Sequence, residues 1–265
     1  EAYEAEGIPI WGLTVQNEPA AVQRWDSCVY TAEEERDFVR DHLGPALHRA
    51  GRRDVRLMVW DHNRDLLYHR VKPIYDDPEC ARFVWGAAFH WYMGDFFDNV
   101  QRVHDAWPDK KLVFTEGCVE GGPHLGEWAV GERYGASIVN DLNRWTVGWV
   151  DWNLLLDEQG GPNHAGNFCS APILYDTRTR VIHYQSSYYY IGHFARFIRP
   201  GARRVGLDNP RDDLDATAFR NPDGSVVVVA MNRTEAPISL EVTTGDQSVT
   251  GTLPPHAIVT LVRDG

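Results

Sequence analysis

Short apolar runs alternate with longer amphipathic segments over the first 150 residues of the chain. Strand-type runs occupy residues 10–15, 55–60, 83–89, 111–115 and 146–150, and helix-type segments lie near residues 32–50, 95–106 and 132–144. Thr31 precedes three consecutive glutamates, which is typical of a helix start because acidic side chains favour the positive end of the helix dipole. The pattern predicts a series of strand–helix units.

Polar or potentially catalytic residues follow each of these predicted strands. The strand ends carry Asn17-Glu18, Asp61-His62, His90-Trp91-Tyr92, Glu116 and Asp151-Trp152-Asn153. A (β/α)8 TIM barrel builds its active site from the C-terminal ends of its strands, so this arrangement predicts that fold. Five strands do not close an eight-stranded barrel. We therefore expect about strands 4–8 here, and an upstream barrel half of roughly 100 residues outside this chain, given about 250 residues for a whole barrel.

The pattern changes after residue 192. Strand-type segments cover residues 216–220, 225–231, 238–242 and 257–262, and turn-forming residues separate them without an intervening helix. This spacing predicts a small antiparallel β-sandwich. The predicted domains are thus a partial catalytic barrel over residues 1–192 and a C-terminal β-sandwich over residues 193–265.

Composition narrows the function classes. The chain has 26 Lys and Arg against 38 Asp and Glu, a formal net charge of −12, which argues against nucleic acid as a partner. No apolar run is long enough for an integral membrane segment. The four cysteines form neither a zinc-type cluster nor an evident disulfide framework, and no metal or cofactor is indicated. The compartment stays open between a bacterial cytoplasm and secretion of a soluble protein.

Two glutamates, Glu18 and Glu116, follow apolar strands where an ordinary surface charge is out of place. Paired carboxyl groups on one barrel face are typical of glycoside hydrolysis, in which one protonates the leaving oxygen and the other attacks the anomeric carbon or activates water. The alternative interpretation is two solvated surface charges. Ten tryptophans also favour a sugar ligand, because an indole face covers the apolar face of a pyranose.

The chain resembles the glucosylceramidases of glycoside hydrolase family 30. The resemblance covers essentially the whole chain and rests on Asn17-Glu18-Pro19, on Glu116, and on residues 37–44, 86–92, 147–154, 160–167, 192–197, 204–214 and 221–229. It implies a retaining mechanism in which Glu18 is the general acid/base and Glu116 the nucleophile. It also implies that upstream strands supply an arginine near the nucleophile.

The same resemblance implies roles for five further residues. Asn17 would bond the sugar 2-hydroxyl, Tyr92 would donate to the nucleophile, and His90 would line the pocket. Trp152 would stack on the glycone, and Asn167 would reach the pocket from the last barrel loop. Structural roles remain the alternative for Asn17 as a turn residue, for His90 as a buried histidine and for Trp152 as a core residue.

The predicted function is hydrolysis of a β-glucosyl bond, in glucosylceramide or a related β-glucoside, by double displacement. The expected partner is a carbohydrate or glycolipid substrate. A family 30 β-xylosidase or β-1,6-glucanase would share both glutamates and is the first alternative. A non-catalytic carbohydrate-binding protein is the alternative from another class. Cys118 is predicted to pack beside Glu116 without reacting, and a metal or Ser-His-Asp role for Asp61-His62 is disfavoured.

Overall fold

The computed structural model describes residues 1–265 and contains two units. The first comprises residues 1–117 and 144–152, and the second comprises residues 118–143 and 153–265. The helices are α1 Ala2–Ala5, α2 Ala32–Phe38, α3 Gly44–Arg49, α4 Leu67–Tyr75, α5 Pro78–Ala81, α6 Phe97–Ala106, α7 Trp128–Asn143 and α8 Ser186–Ala195. A π-helical segment, Val39–Leu43, joins α2 to α3.

Five parallel strands form the sheet of the first unit. They are β1 Gly12–Thr14, β2 Arg56–Asn63, β3 Gly86–His90, β4 Lys111–Glu116 and β5 Thr146–Trp149, and they lie in chain order. Every residue of β3 is buried, as expected for a parallel strand that is covered on both faces. The C-terminal ends of all five strands therefore lie along one edge of this sheet.

The helix predicted after Thr31 is present with its predicted cap. The Glu34 backbone N–H donates to the Thr31 hydroxyl at 3.1 Å, and the Thr31 backbone N–H donates to the Glu34 carboxylate at 2.8 Å. This reciprocal pair is a capping box, which satisfies two N–H groups at the helix start. It explains why the helix begins where the sequence predicts.

The remaining strands belong to the second unit. They are β6 Leu155–Asp157, β7 Ile173–Asp176, β8 Val181–Tyr184, β9 Arg203–Arg204, β10 Leu214–Arg220, β11 Val226–Asn232, β12 Ile238–Thr244, β13 Gln247–Leu253 and β14 Ala257–Arg263. Strands β14, β11, β10 and β9 form an antiparallel sheet in that order, and β12 pairs with β13 in a hairpin. A core of Leu214, Ala230, Ile238 and Leu253 joins the sheet to the hairpin, so this part is a sandwich.

Within the second unit, helices α7 and α8 pack closely because glycines remove side chains between them. A Cβ at Gly131 or Gly135 would lie 2.5 Å or 2.7 Å from the ring of Tyr190. The unit also contains a three-stranded sheet in the order β6, β7, β8.

The strand–helix repetition predicted for the first 150 residues is confirmed, as is the antiparallel sandwich that follows. Helices α4, α5 and α8 and strands β6 to β9 and β13 were not predicted. The helices of the structure are all too short or too polar to span a bilayer.

Candidate active site

Glu18 lies in a bend four residues after the end of β1. Its backbone has a φ of 49°, a left-handed conformation that non-glycine residues seldom adopt. The Glu18 backbone N–H donates to the Asp61 carbonyl at 3.0 Å, and Asp61 also has a φ of 49°. This hydrogen bond joins two residues with left-handed backbone, and such strain is often found at functional sites.

His90 connects Glu18 to Asp61. Nδ1 of the His90 ring lies 3.2 Å from Oε1 of Glu18, and Nε2 lies 3.1 Å from Oδ1 of Asp61. The hydroxyls of Thr14 and Thr115 each donate to the Asp61 carboxylate at 2.6 Å. The His90 side chain is fully buried, so its orientation is fixed by these two carboxylates.

The charge states of Glu18, His90 and Asp61 depend on one another. Burial acts to lower the pKa of His90, but the hydrogen bonds to Asp61 and Glu18 outweigh it and raise that pKa to about 9. His90 is therefore a cation at neutral pH and donates through both ring nitrogens. Burial of Asp61 acts to raise its pKa, yet the hydrogen bond from His90 brings the net pKa below its ordinary value.

Glu116 ends β4, and Tyr92 supports it. The Tyr92 hydroxyl donates to Oε1 of Glu116 at 3.0 Å, and the backbone N–H of Tyr92 donates to Oδ1 of Asn63 at 2.8 Å. Asn63 is the last residue of β2. The tyrosine is thus held by a neighbouring strand end while its hydroxyl faces the carboxylate.

The two glutamates lie close together but have opposite pKa shifts. One carboxylate oxygen of Glu18, one of Glu116 and a ring nitrogen of His90 all lie within 4.8 Å of one another. Burial raises the pKa of Glu116, and the Glu18 carboxylate adds to the shift. Burial also acts to raise the pKa of Glu18, but the hydrogen bond from His90, the charges of His62 and His90 and the bond from Gln23 together lower it. The residues of this chain alone therefore favour a proton on Glu116.

The same three side chains meet the distance condition for ligands of one cation. A protonated imidazole has no lone pair to offer a metal ion, and both N–H groups of His90 already donate to carboxylates. The cluster therefore gives no basis for proposing a metal site.

A buried carboxyl group supports the end of β2. Oε1 of Glu35, on α2, accepts the Trp60 backbone N–H at 2.8 Å, and Trp60 has a φ of 75°. The strand pairing shifts register between Trp60 and His62. The Arg70 guanidinium lies 4.6 Å from the centre of the Trp60 ring and 3.9 Å from Glu35. Glu35 thus holds the bulge that directs Asp61 toward His90.

The structure brings four predicted site residues together: Glu18, His90, Tyr92 and Glu116. Asn17 is exposed beside Glu18. The Trp152 backbone N–H donates to the Gly117 carbonyl at 3.0 Å, and 44 % of Trp152 is exposed, so this residue lies beside the end of β4 with part of its surface open. Asn167 lies in the second unit, where its amide donates to Glu120 at 3.2 Å.

Sequence reasoning missed the residues that support His90 and Glu18. The missed contacts are those of Asp61, Thr14, Thr115, Gln23 and His62. The available signal was the position of Asp61-His62 at a strand end, where only a metal or a Ser-His-Asp role is considered above. The alternation of side chains between two faces holds only where a strand is regular. Because β2 contains a bulge between Trp60 and His62, alternation could not show that Asp61 faces His90.

The chain matches two domains of one family. Residues 1–198 match the glycosyl hydrolase family 30 TIM-barrel domain, and residues 201–261 match the glycosyl hydrolase family 30 beta sandwich domain. The predicted fold class, part of a TIM barrel followed by a β-sandwich, is thereby confirmed. The exact domain boundaries stay a prediction.

Three relatives illustrate the range of similar proteins. Lysosomal acid glucosylceramidase of Mus musculus is 36% identical over 269 residues, which are 96% of this chain and 52% of the mouse protein. The crystal structure of SrfJ from Salmonella typhimurium superposes with a TM-score of 0.94 at 39% identity, covering 100% of this chain and 60% of that one. An endo-β-1,6-glucanase structure superposes with a TM-score of 0.87 at 30% identity, covering 98% and 59%. The chain spans about half the length of the curated relatives it matches.

Proposed function

Because the chain belongs to glycoside hydrolase family 30, we propose that it carries both catalytic carboxyl groups of a retaining β-glycosidase. The observation that carries this proposal is the spacing of at most 4.8 Å between carboxylate oxygens of Glu18 and Glu116. Retaining enzymes have carboxyl groups about 5–5.5 Å apart, and inverting enzymes about 6.5–9.5 Å. The short spacing supports direct attack by a carboxylate, since an inverting enzyme needs room for a water molecule.

In the proposed reaction, the Glu116 carboxylate attacks the anomeric carbon while Glu18 gives its proton to the glycosidic oxygen. The bond to the aglycone breaks, and a glycosyl ester forms on Glu116. Glu18 then takes a proton from water, whose oxygen attacks the anomeric carbon and releases Glu116. Glu18 ends the cycle protonated, so the two carboxyl groups need opposite charge states at the start.

The charge states required for these roles run against the pKa directions that the described residues produce. Glu116 must be ionised, yet its pKa is raised, and Glu18 must be protonated, yet its pKa is lowered. A cation beside Glu116 would reverse the order by stabilising its carboxylate. The family resemblance implies such a cation, an arginine from upstream strands. We assign Glu18 as the acid/base and Glu116 as the nucleophile on that basis.

The remaining predicted residues take supporting roles in this proposal. Tyr92 orients the Glu116 carboxylate through its hydroxyl, and His90 orients Glu18. Asn17 bonds the sugar 2-hydroxyl, an interaction that strengthens in the transition state. Trp152 is 44 % exposed and is proposed to stack on the glycone, and the family resemblance implies a sugar contact for Asn167.

The proposed substrate class is a β-glucoside, with glucosylceramide as the first candidate. The similarity to a mouse glucosylceramidase supports it. A β-1,6-glucan is the second candidate, because a solved endo-β-1,6-glucanase superposes over nearly the whole chain at 30% identity. Release of glucose from glucosylceramide, compared with release of oligosaccharides from β-1,6-glucan, separates the two substrates.

The experiment that tests the roles compares Glu18→Ala with unsubstituted protein on two glucosides. We expect hydrolysis of a substrate with a poor leaving group to fall by about 10²–10⁴-fold, the usual contribution of a general acid. The dinitrophenyl leaving group needs little protonation, so formation of the glycosyl ester from a dinitrophenyl glucoside should keep most of its rate. Added azide should then restore turnover and give the β-glucosyl azide, because the small anion replaces water without needing a base.

The matched control is Glu79→Ala. Glu79 is a well exposed glutamate of the same unit, and its removal should leave both rates unchanged. Equal losses on the two substrates, without azide rescue, would contradict the acid/base role of Glu18.

A further inference from the structure

Two buried thiols of the second unit lie in contact. The Sγ atoms of Cys118 and Cys169 are 3.0 Å apart, and only 2 % of each residue is exposed. The Cys169 sulfur also lies 3.6 Å from the Asn167 carbonyl. The Cys118 thiol thus donates to Cys169, and the Cys169 thiol donates onward to the backbone. The sequence predicts Cys118 to be unreactive, but it gives no sign of this second sulfur.

The backbones on either side of this pair are fixed to each other. Glu120 and Cys169 form an antiparallel bridge, and the Ser170 N–H donates to the Val119 carbonyl at 2.8 Å. The N–H groups of Gly121 and Gly122 both donate to the Phe168 carbonyl at 3.0 Å. Segments 118–122 and 167–170 therefore hold the two sulfurs together without a covalent link.

The backbone of Cys169 is also confined on its other side. Its N–H donates to the Gly160 carbonyl at 2.9 Å. A Cβ at Gly160, whose φ is +84°, would lie 2.3 Å from the Cys169 carbonyl oxygen, so only glycine permits this approach. Backbone hydrogen bonds to segment 118–122 and to Gly160 therefore fix the position of Cys169, whose sulfur faces Cys118.

The other two cysteines lack this arrangement. Cys28 is exposed. Cys80 is buried in the first unit, where its thiol donates to the Arg36 carbonyl at 3.4 Å and burial raises its pKa to about 12. Cys80 is therefore a buried thiol without a second sulfur at its side, and it serves as an internal control.

We propose that Cys118 and Cys169 are a redox-active dithiol site that a peroxide oxidises to an intramolecular disulfide. One thiol loses its proton, and its sulfur attacks a peroxide oxygen; the O–O bond breaks, a sulfenic acid forms, and the departing hydroxide takes up that proton as water. The second thiol loses its proton and attacks the sulfenic sulfur; the S–O bond breaks, and the hydroxide that leaves takes up the second proton as water. Both sulfurs are oxidised and hydrogen peroxide is reduced to two waters. A disulfide bond is about 2.05 Å long, so the sulfurs must approach by roughly 1 Å.

The disulfide closes a loop between positions 51 residues apart. Such a link removes conformations from the unfolded chain, which stabilises the folded state. It also ties the segment bearing Asn167 covalently to the segment bearing Glu120, whose carboxylate accepts the Asn167 amide. This inference is independent of the proposed glycosidase function, because it rests on the sulfur geometry alone.

The test is peptide mapping of the intact protein after treatment with hydrogen peroxide. Remaining thiols are alkylated under denaturing conditions, and the protein is digested without reductant. We expect a linked pair of peptides containing Cys118 and Cys169, lighter than their sum by two hydrogen atoms and lost on treatment with dithiothreitol. Cys80 should be recovered alkylated in the same digest.

A thermal measurement adds a second readout. Oxidation should raise the Tm of the protein by several degrees, and Cys169→Ala should abolish the rise while Cys80→Ala retains it. Peptide mapping uses the unsubstituted protein, so its result tests the proposal even if a variant fails to fold. Recovery of Cys118 and Cys169 both alkylated, after exposure that oxidises Cys28, would overturn the proposal. Recovery of either one linked to Cys28 or Cys80 would overturn it equally.

Discussion

At the scale of single residues, His90 sets the electrostatics of the candidate site. It is a buried cation that donates to Glu18 on one side and Asp61 on the other. The charge of His90 depends on Asp61, because the carboxylate accepts the Nε2 proton and offsets the cost of burying a positive ring. Asp61 is therefore a positioning residue that acts on Glu18 through His90.

We expect Asp61→Asn to change the pH profile of kcat/KM. Without the negative charge, the pKa of His90 falls and the ring is neutral over more of the pH range. Glu18 then loses a cationic partner, its pKa rises, and the basic limb of the profile moves to higher pH. Hydrogen bonds to charged groups contribute about 1.5–3 kcal/mol, so kcat/KM should fall roughly 10- to 100-fold at the optimum.

The control is Asp98→Asn, which removes a carboxylate that is 95 % exposed. A purely structural role for Asp61 would lower activity at every pH by the same factor. A profile of unchanged shape in Asp61→Asn would therefore count against its action through His90.

The sequence is informative about residues whose position follows from regular strands. The paired glutamates Glu18 and Glu116 were predictable because parallel strands end at one edge and each follows or ends such a strand, whereas the roles of His90 and Tyr92 came from the family resemblance. Asp61 was not predictable as a partner of His90. The contact depends on register shifts in β2 and between β3 and β4 and on left-handed backbone at Trp60 and Asp61, which no alternation of apolar residues reveals.

At the scale of elements, the close approach of neighbouring strands requires small residues. A Cβ at Gly86, the first residue of β3, would lie 2.2 Å from the Lys111 carbonyl oxygen of β4. Elements were missed where the pattern was weak. Strand β13 is polar and exposed along most of its length, and α4 contains Pro73, a residue that normally interrupts a helix.

We predict that Gly86→Ala lowers the free energy of unfolding by about 1–3 kcal/mol, the usual cost of overpacking. Two strands must separate to admit the methyl group, because the obstacle is backbone. The matched control is Gly192→Ala in α8, where no atom beyond its chain neighbours and the helix backbone lies within 4 Å of the new Cβ. That variant should stabilise the helix by about 0.5–1 kcal/mol.

Denaturant unfolding of the two glycine variants measures both effects. A Gly86→Ala protein as stable as the unsubstituted one would show that the strands separate more easily than the structure implies.

At the scale of the whole molecule, two buried groups make stability depend on pH in the same direction. Burial raises the pKa of Glu35 from 4.5 to about 7, and hydrogen bonds raise that of His90 from 6.5 to about 9. A raised pKa in the folded state stabilises the protein fully below the unfolded-state pKa and is lost as pH rises through the folded-state value. Both groups therefore favour the folded state at lower pH.

We predict that Glu35 and His90 each contribute a fall in Tm as the pH rises, over two separate windows. Glu35 accounts for the loss of unfolding free energy between about pH 4.5 and 7, which is on the order of 3 kcal/mol for a pKa shift of this size. His90 accounts for the loss between about pH 6.5 and 9. Glu35→Gln keeps an oxygen for the Trp60 N–H but cannot ionise, so it should flatten only the lower window. Thermal melts at a series of pH values measure this, and an unchanged lower window in Glu35→Gln would contradict it.

Glu116 is the proposed nucleophile of a retaining β-glucosidase, although burial raises the pKa of its carboxyl group. The most direct test is to label the intact protein with a 2-fluoro-glucoside or a cyclophellitol-type inactivator and to map the modified peptide by mass spectrometry. We expect one covalent glucosyl-type adduct, on Glu116, and no adduct in Glu116→Gln. An adduct on Glu18 would exchange the two roles, in line with the lowered pKa of Glu18, and no adduct on a folded protein would contradict the retaining mechanism itself.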